Sequence, residues 1–333
     1  MLKINKISAY GSLVFFALGL VFFGSGYYYY YQNEPEQNCI RQFEYLNPRL
    51  ECGEKPKIDK SSYLLFENRL KEKLDLIKKS GTADLVSVYF RDLQSGPIFG
   101  VDEDIKFIPA SLLKLPTMMA YFHIAEGDDS FLDRTLAYDP EAADKLNPLK
   151  QYVFPEETIK PDKPYKIYEL IERMISNSDN AAMNVLYNYM VNSYSPNINL
   201  ISEVFKDFGL AEPNSDLTEE TMSARTYSSF FRILYNSSYL SNEYSDLALK
   251  YLSETKYQGG LRRGVPDGVT ITHKIGERSM AGRLQLHDCG IIYYPDNPYL
   301  LCVMTAGSDF SKLDEIISTI SGLVYEEVDS RKL

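Results

Sequence analysis

Strand patterns lie towards both ends of this chain and helical patterns lie between them, and that segregation narrows the fold more than any other feature. Leu64, Leu65, Leu70, Leu74 and Ile77 recur at helical spacing through a charged stretch that stops at Gly81, which reads as one amphipathic helix. A strand follows over Leu85 to Arg91, Asp92 to Pro97 has turn chemistry, and Ile98 to Val101 begins the return strand of a hairpin. The middle is helical. Ile167, Leu170, Ile171, Met174 and Ile175 mark one helix, and Met183 to Met190 and Leu200 to Phe208 suggest two more. Strand character returns in Val269 to Ile275, Ala281 to His287, Gly290 to Tyr294 and Tyr299 to Ala306, before a closing helix with Leu313, Ile316, Ile317, Ile320, Leu323 and Val324 on one face. The fold class expected is therefore α+β: an antiparallel sheet flanked by the N- and C-terminal helices, plus an all-helical subdomain of about residues 111–260.

The segment ahead of this domain is apolar. No charged residue occurs from Ile7 to Asn33, a run long enough to span a bilayer. Lys3 and Lys6 precede it and Glu34 and Glu36 follow, so the positive-inside rule puts residues 1–6 in the cytoplasm and everything after about residue 33 outside. Tyr27 to Tyr31 would then form an aromatic belt at the outer interface. A signal anchor over residues 7–31 is the reading preferred to a cleaved signal peptide, which the small residues Gly24, Ser25 and Gly26 would also suit. Residues 32–60 are polar and carry Pro35, Pro48, Gly53 and Pro56, as a linker would, and the folded domain is expected over 61–333. Export permits disulfides, and Cys39 with Cys52 and Cys289 with Cys302 are the two pairs in question.

Charge excludes one broad class. Lys and Arg number 35 against 46 Asp and Glu, a net charge of −11, and no local basic patch offsets it, so nucleic acid is not an expected partner. His123, His273 and His287 show no zinc-ligand spacing, and neither a metal nor a cofactor is expected.

Three short clusters carry chemistry. In the first, Ser111 and Lys114 lie three residues apart; on a helix beginning near Ser111 they share a face, where an unprotonated amine takes the hydroxyl proton. The helix N-terminus adds N–H groups for an oxyanion. A second pair at this spacing, Ser253 and Lys256, is assigned to a solvated helix. The next cluster, Ser178-Asp179-Asn180, has residues that favour helix caps, and also suits proton relay by Ser178 and amide binding by Asn180. The last is His273-Lys274-Ile275-Gly276-Glu277, at the end of a strand. There the Lys274 ammonium would meet a substrate carboxylate and help to keep Lys114 neutral, while Gly276 would let a substrate backbone approach the strand.

These clusters, in this order, resemble the S-x-x-K, S-D-N and K-T-G set of class A β-lactamases and penicillin-binding proteins, the serine D,D-peptidases. The Asp92-Leu-Gln-Ser-Gly turn, the Phe107-to-Pro116 entry, Met174 to Leu186 and Gly259-Gly-Leu-Arg-Arg before the lysine strand resemble class A segments too, so the likeness covers roughly Ser61 to Val328. The resemblance implies an acyl-enzyme mechanism. Ser111 would attack a β-lactam or a D-Ala-D-Ala-like amide of a peptidoglycan stem peptide, with Lys114 as base, the backbone N–H groups of Ser111 and Glu277 as oxyanion hole, and Ser178 as the leaving-group acid.

The chain departs from that pattern twice. Ile275 stands where the family carries a hydroxyl residue, and Arg278 or Arg283 is the expected substitute partner for the substrate carboxylate. The E-x-x-L-N pattern with the deacylating glutamate is absent, which leaves Glu212, Glu219 and Glu220, in a shortened stretch from Gly209 to Ser223, as candidate bases. An enzyme without that base would behave like a penicillin-binding protein, and a degenerate wall-binding module is the further alternative.

Overall fold

The computed structural model describes residues 19, 23–25, 41–52, 63–94, 96, 98–138, 152–153, 157–161, 163–194, 199–211, 219–280 and 282–331. The expected anchor over 7–31 falls almost wholly outside them, as do Cys39 and Glu212. Among the described residues no helix is long and apolar enough to cross a membrane.

Helix α1 (Leu64–Lys79) leads into β1 (Leu85–Asp92) and β2 (Ile98–Val101), and the chain returns at its end through β7 (Ile271–Met280), β8 (Arg283–Ile292), β9 (Tyr299–Gly307) and α8 (Phe310–Ser330). These strands form one antiparallel sheet in the order β2-β1-β9-β8-β7. Alternation along each strand sorts the core into two layers. Val86, Val88 and Phe90 of β1 and Leu301 and Val303 of β9 face α1 and α8, joining Phe66, Leu70, Leu74, Leu313, Ile317 and Val324. Tyr89 of β1 and Cys302, Met304 and Ala306 of β9 face the helical side.

The helical subdomain contains α2 (Lys114–Ala125), α3 (Ile167–Ser176), α4 (Asn180–Tyr189), α5 (Leu200–Asp207), α6 (Ala224–Tyr235) and α7 (Asn242–Ser253). Two minor ribbons brace it: β3 (Lys106–Phe107) pairs with β6 (Met222–Ser223), and β4 (Thr135–Ala137) pairs with β5 (Pro164–Lys166). Helix α2 is apolar all round, with Leu115, Met118, Met119 and Phe122 fully buried, and is thus a central helix rather than a surface one.

Four details differ from the sequence reading. Leu65 is 78% exposed whereas Phe66 is 6% exposed, so α1 buries the stripe Phe66-Leu70-Leu74. The two expected strands across 281–294 are one, β8, running straight through Asp288-Cys289-Gly290. Asp288 is buried against His273 Nδ1 at 2.9 Å, and a Cβ at Gly290 would sit 2.2 Å from the Thr272 carbonyl oxygen, so both residues are held within the strand. Strand β7 also runs past the expected end of its pattern at Ile275 and continues to Met280, which pairs with Arg283. Ordered packing also begins before Ser61: Leu46 is buried, the Tyr45 N–H donates to Asp246 at 2.8 Å and the Asn47 N–H to the Tyr235 carbonyl at 2.9 Å. Cys289 and Cys302 face each other across β8 and β9 and are disulfide-bonded; Cys52 is disulfide-bonded too.

Candidate active site

Ser111 lies in a 3-10 turn, Ala110–Leu113, that runs directly into α2, so the helix expected to begin at Ser111 begins at Lys114. Being early in the turn, its N–H is among those without an intrahelical partner, and α2 aims its positive dipole end at this point. The residue before it, Ala110, has φ +49°, a left-handed conformation costly for a residue with a Cβ. Gly276 holds this turn against the sheet. A Cβ there would meet Leu112 Cγ at 2.6 Å and the Pro109 carbonyl oxygen at 2.9 Å, so it is the chain's own serine turn, and not a substrate backbone, that uses the space left by the glycine.

Lys114 is 3% exposed and Lys274 is fully buried, and both reach the same hydroxyl. Lys114 Nζ lies 2.6 Å from the Ser178 carbonyl oxygen, 2.7 Å from Asn180 Oδ1 and 3.2 Å from Ser178 Oγ. Lys274 Nζ lies 2.9 Å from Ser178 Oγ and 3.1 Å from the Ile275 carbonyl oxygen. Burial pushes the Lys114 pKa well below its ordinary 10.5, and the nearby Lys274 charge pushes in the same direction. Burial likewise lowers Lys274 to about 7. A neutral Lys114 satisfies its two closest acceptors with its two N–H bonds, which leaves a lone pair for a proton.

Ser178 has φ +53°, a second strained non-glycine residue in the site. Asp179 between the two polar motif residues is structural. Its Oδ1 accepts from the Ala181 N–H at 2.8 Å and the Thr158 hydroxyl at 2.9 Å, and its Oδ2 from the Ile159 N–H at 3.0 Å. It therefore caps α4 and fixes the preceding chain segment, and both acts orient Ser178 and Asn180.

On β7 the direction of the backbone is readable. The His273 carbonyl accepts from Thr255 Oγ1 at 3.0 Å and the Ile275 carbonyl from Lys274 Nζ, so both turn away from β8. Backbone polar groups alternate sides along an antiparallel strand, and pairing with β8 is continuous from Ile271 to Met280. The N–H of Glu277 therefore also points off the sheet edge, on the side of the Ser111 turn. The Glu277 carboxylate is occupied otherwise, accepting from the Tyr152 N–H at 2.8 Å and the Val153 N–H at 3.1 Å. The side chain of Ile275 is 2% exposed.

The remaining candidates separate. Glu219 and Glu220 are both exposed, and Glu220 Oε1 accepts from Arg283 at 3.0 Å and Gln285 at 3.1 Å. Arg283 is thus neutralised by a carboxylate and is not a free partner for substrate. Arg278 has no ion pair or hydrogen bond among the described residues, and its Nε is buried. No cluster of three or more metal-ligating residues occurs among the described residues. His287 is fully buried, with its pKa lowered to about 4 by burial, and sits under Ile108.

The sequence profile described as the beta-lactamase enzyme family matches residues 68–328. The chain belongs to that family. Membership makes it a serine β-lactamase-like hydrolase. Among solved structures, PBP-A is 22% identical with a TM-score of 0.66, over 83% of this chain and 100% of that one. A beta-lactamase from Chitinophaga pinensis is 19% identical, with a TM-score of 0.65, over 78% of this chain and 100% of its own. A class A beta-lactamase from Mycobacterium abscessus is 18% identical, with a TM-score of 0.65, over 78% of this chain and 99% of its own. At these identities the likeness is one of fold. No curated protein matches the sequence.

Proposed function

We propose that the chain is a membrane-anchored, extracytoplasmic enzyme whose Ser111 is acylated by β-lactams or by D-Ala-D-Ala-like amides. The observation that carries this reading is the convergence of two buried lysines on Ser178, where burial and the Lys274 charge both lower the Lys114 pKa and so favour its acting as a base. Ser111 Oγ gives its proton to Lys114 Nζ and attacks the carbonyl carbon, and the oxyanion is held by the N–H groups of Ser111 and Glu277. The C–N bond then breaks, Ser178 gives its proton to the departing nitrogen, and Ser178 is reprotonated from Lys114. Lys274 holds the substrate carboxylate and Asn180 its side-chain amide. The uncharged run Ile7–Asn33 supports the anchor.

Of the two outcomes after acylation, a persistent acyl-enzyme is favoured by the position of Glu220, exposed and bound to Arg283 rather than to the serine site. A point mutant of PBP-A has been solved as an acyl-enzyme complex with penicillin G. The test is labelling of membranes from cells expressing the full chain with a fluorescent penicillin, with and without Ser111→Ala. The reading requires a labelled, membrane-bound band that Ser111→Ala removes; label on the Ser111→Ala chain would remove Ser111 as nucleophile, and label in the soluble fraction would remove the anchor.

A further inference from the structure

Lys274, Gly276 and Arg278 alternate along one strand and therefore present to one face of β7. Their places on that face are ordered along the reaction. Lys274 touches Ser178, which serves the leaving nitrogen. Gly276 carries the serine turn, against Leu112 and the Pro109 carbonyl. Arg278 follows, about 13 Å along the strand from Lys274, on the side away from the leaving group and next to the Glu277 N–H. A substrate that acylates Ser111 with its carboxylate at Lys274 must run its acyl substituent in the direction of Arg278.

The charges on this face do not cancel. Opposite Arg278 stands Gln285, whose amide is engaged by the Ile108 N–H at 3.0 Å and by Glu220 at 3.1 Å. Glu220 is paired with Arg283. Arg278 is left as a cation with a buried, unbonded Nε and, among the described residues, no carboxylate partner. Burying a guanidinium nitrogen without a hydrogen bond is costly, and an anionic ligand group removes that cost.

We propose that Arg278 binds a second anionic group, on the acyl side of the scissile amide, so that the enzyme selects substrates carrying a carboxylate there. This rests on the acyl-enzyme reading given above and assigns its substrate class: amides anionic on both sides of the bond that breaks. Arg278 is in this account a specificity residue, separate from the carboxylate site at Lys274.

Two penicillins that differ by one carboxylate in the acyl side chain, benzylpenicillin and α-carboxybenzylpenicillin, test it with the full chain. The quantity read is the ratio of their second-order acylation rates within one protein preparation, so any loss of folded protein cancels. The ratio of carboxylated to neutral drug should fall at least tenfold in Arg278→Gln, be partly kept in Arg278→Lys, and stay within twofold of wild type in Arg283→Gln. A ratio that stays within twofold of wild type in Arg278→Gln, or that falls as far in Arg283→Gln, overturns the proposal. Failure of benzylpenicillin to acylate the wild-type chain at all would take down the acyl-enzyme reading itself, and this proposal with it.

Discussion

Replacing Lys274 with Met removes a buried cation and leaves a side chain of similar length. The Lys274 pKa is lowered from 10.5 to about 7 because its ammonium is cut off from water. Between those values the unfolded chain binds more proton than the folded one, so stability rises with pH through that window; the penalty is full below the folded value and is relieved above it. For one such site the rise from pH 7 to pH 9 comes to about 2 kcal/mol. Lys274→Met abolishes this contribution. It also removes the like charge that helps to depress Lys114, so Lys114 titrates higher and its own part of the slope moves the same way. Urea unfolding at pH 7, 8 and 9 measures the difference: wild type should gain about 2 kcal/mol more than Lys274→Met over that range. The acid limb of penicillin acylation should shift to higher pH in the variant. Parallel stability profiles for the two proteins would refute the claim that Lys274 is held as a depressed, buried cation.

Other substitutions separate the structural from the chemical roles. Gly276→Ala places a methyl group 2.6 Å from Leu112 Cγ and should cost about 1–3 kcal/mol in urea unfolding while slowing acylation, because the turn that is displaced carries Ser111. Asp179→Ala loses the α4 cap and the contacts to Thr158 and Ile159; thermal unfolding should report a loss of about 2 kcal/mol or more, with acylation reduced as Asn180 and Ser178 lose their support. Glu220→Gln should leave the rate of acyl-enzyme clearance within twofold of wild type, measured after removal of excess drug, since this exposed carboxylate serves Arg283.

What is legible in the sequence is short in range. Ser111 with Lys114, Ser178 with Asn180, and Lys274 with Gly276 are close along the chain, and local geometry largely fixes their mutual placement. The amphipathic stripes of α3 and α8 are visible for the same reason. What is hidden depends on partners brought in by the fold. The Asp179 carboxylate meets Thr158 and Ile159, and the Glu277 carboxylate meets Tyr152 and Val153; only the placing of an Asp at a helix start hints at the first of these. Gly276 reads as room for substrate because the turn that fills the room lies far away in sequence. The gap between the strand patterns at Asp288 and Cys289 closes in the structure because the buried His273 that partners the aspartate, and the strand that approaches Gly290 closely, lie across a hairpin. In α1 the run Leu64-Leu65-Phe66 offers more than one apolar stripe, and packing against Phe99 decides for Phe66.

The central claim is that Ser111, activated by a neutral Lys114, becomes acylated. Intact-mass spectrometry of the chain mixed with benzylpenicillin, followed over time at pH 7 and 9 beside Ser111→Ala and Lys114→Met, tests it most directly. The account predicts a single adduct of one penicillin per chain on the wild type, absent from Ser111→Ala and strongly slowed in Lys114→Met. An adduct on Ser111→Ala, or none on the wild type, would contradict it.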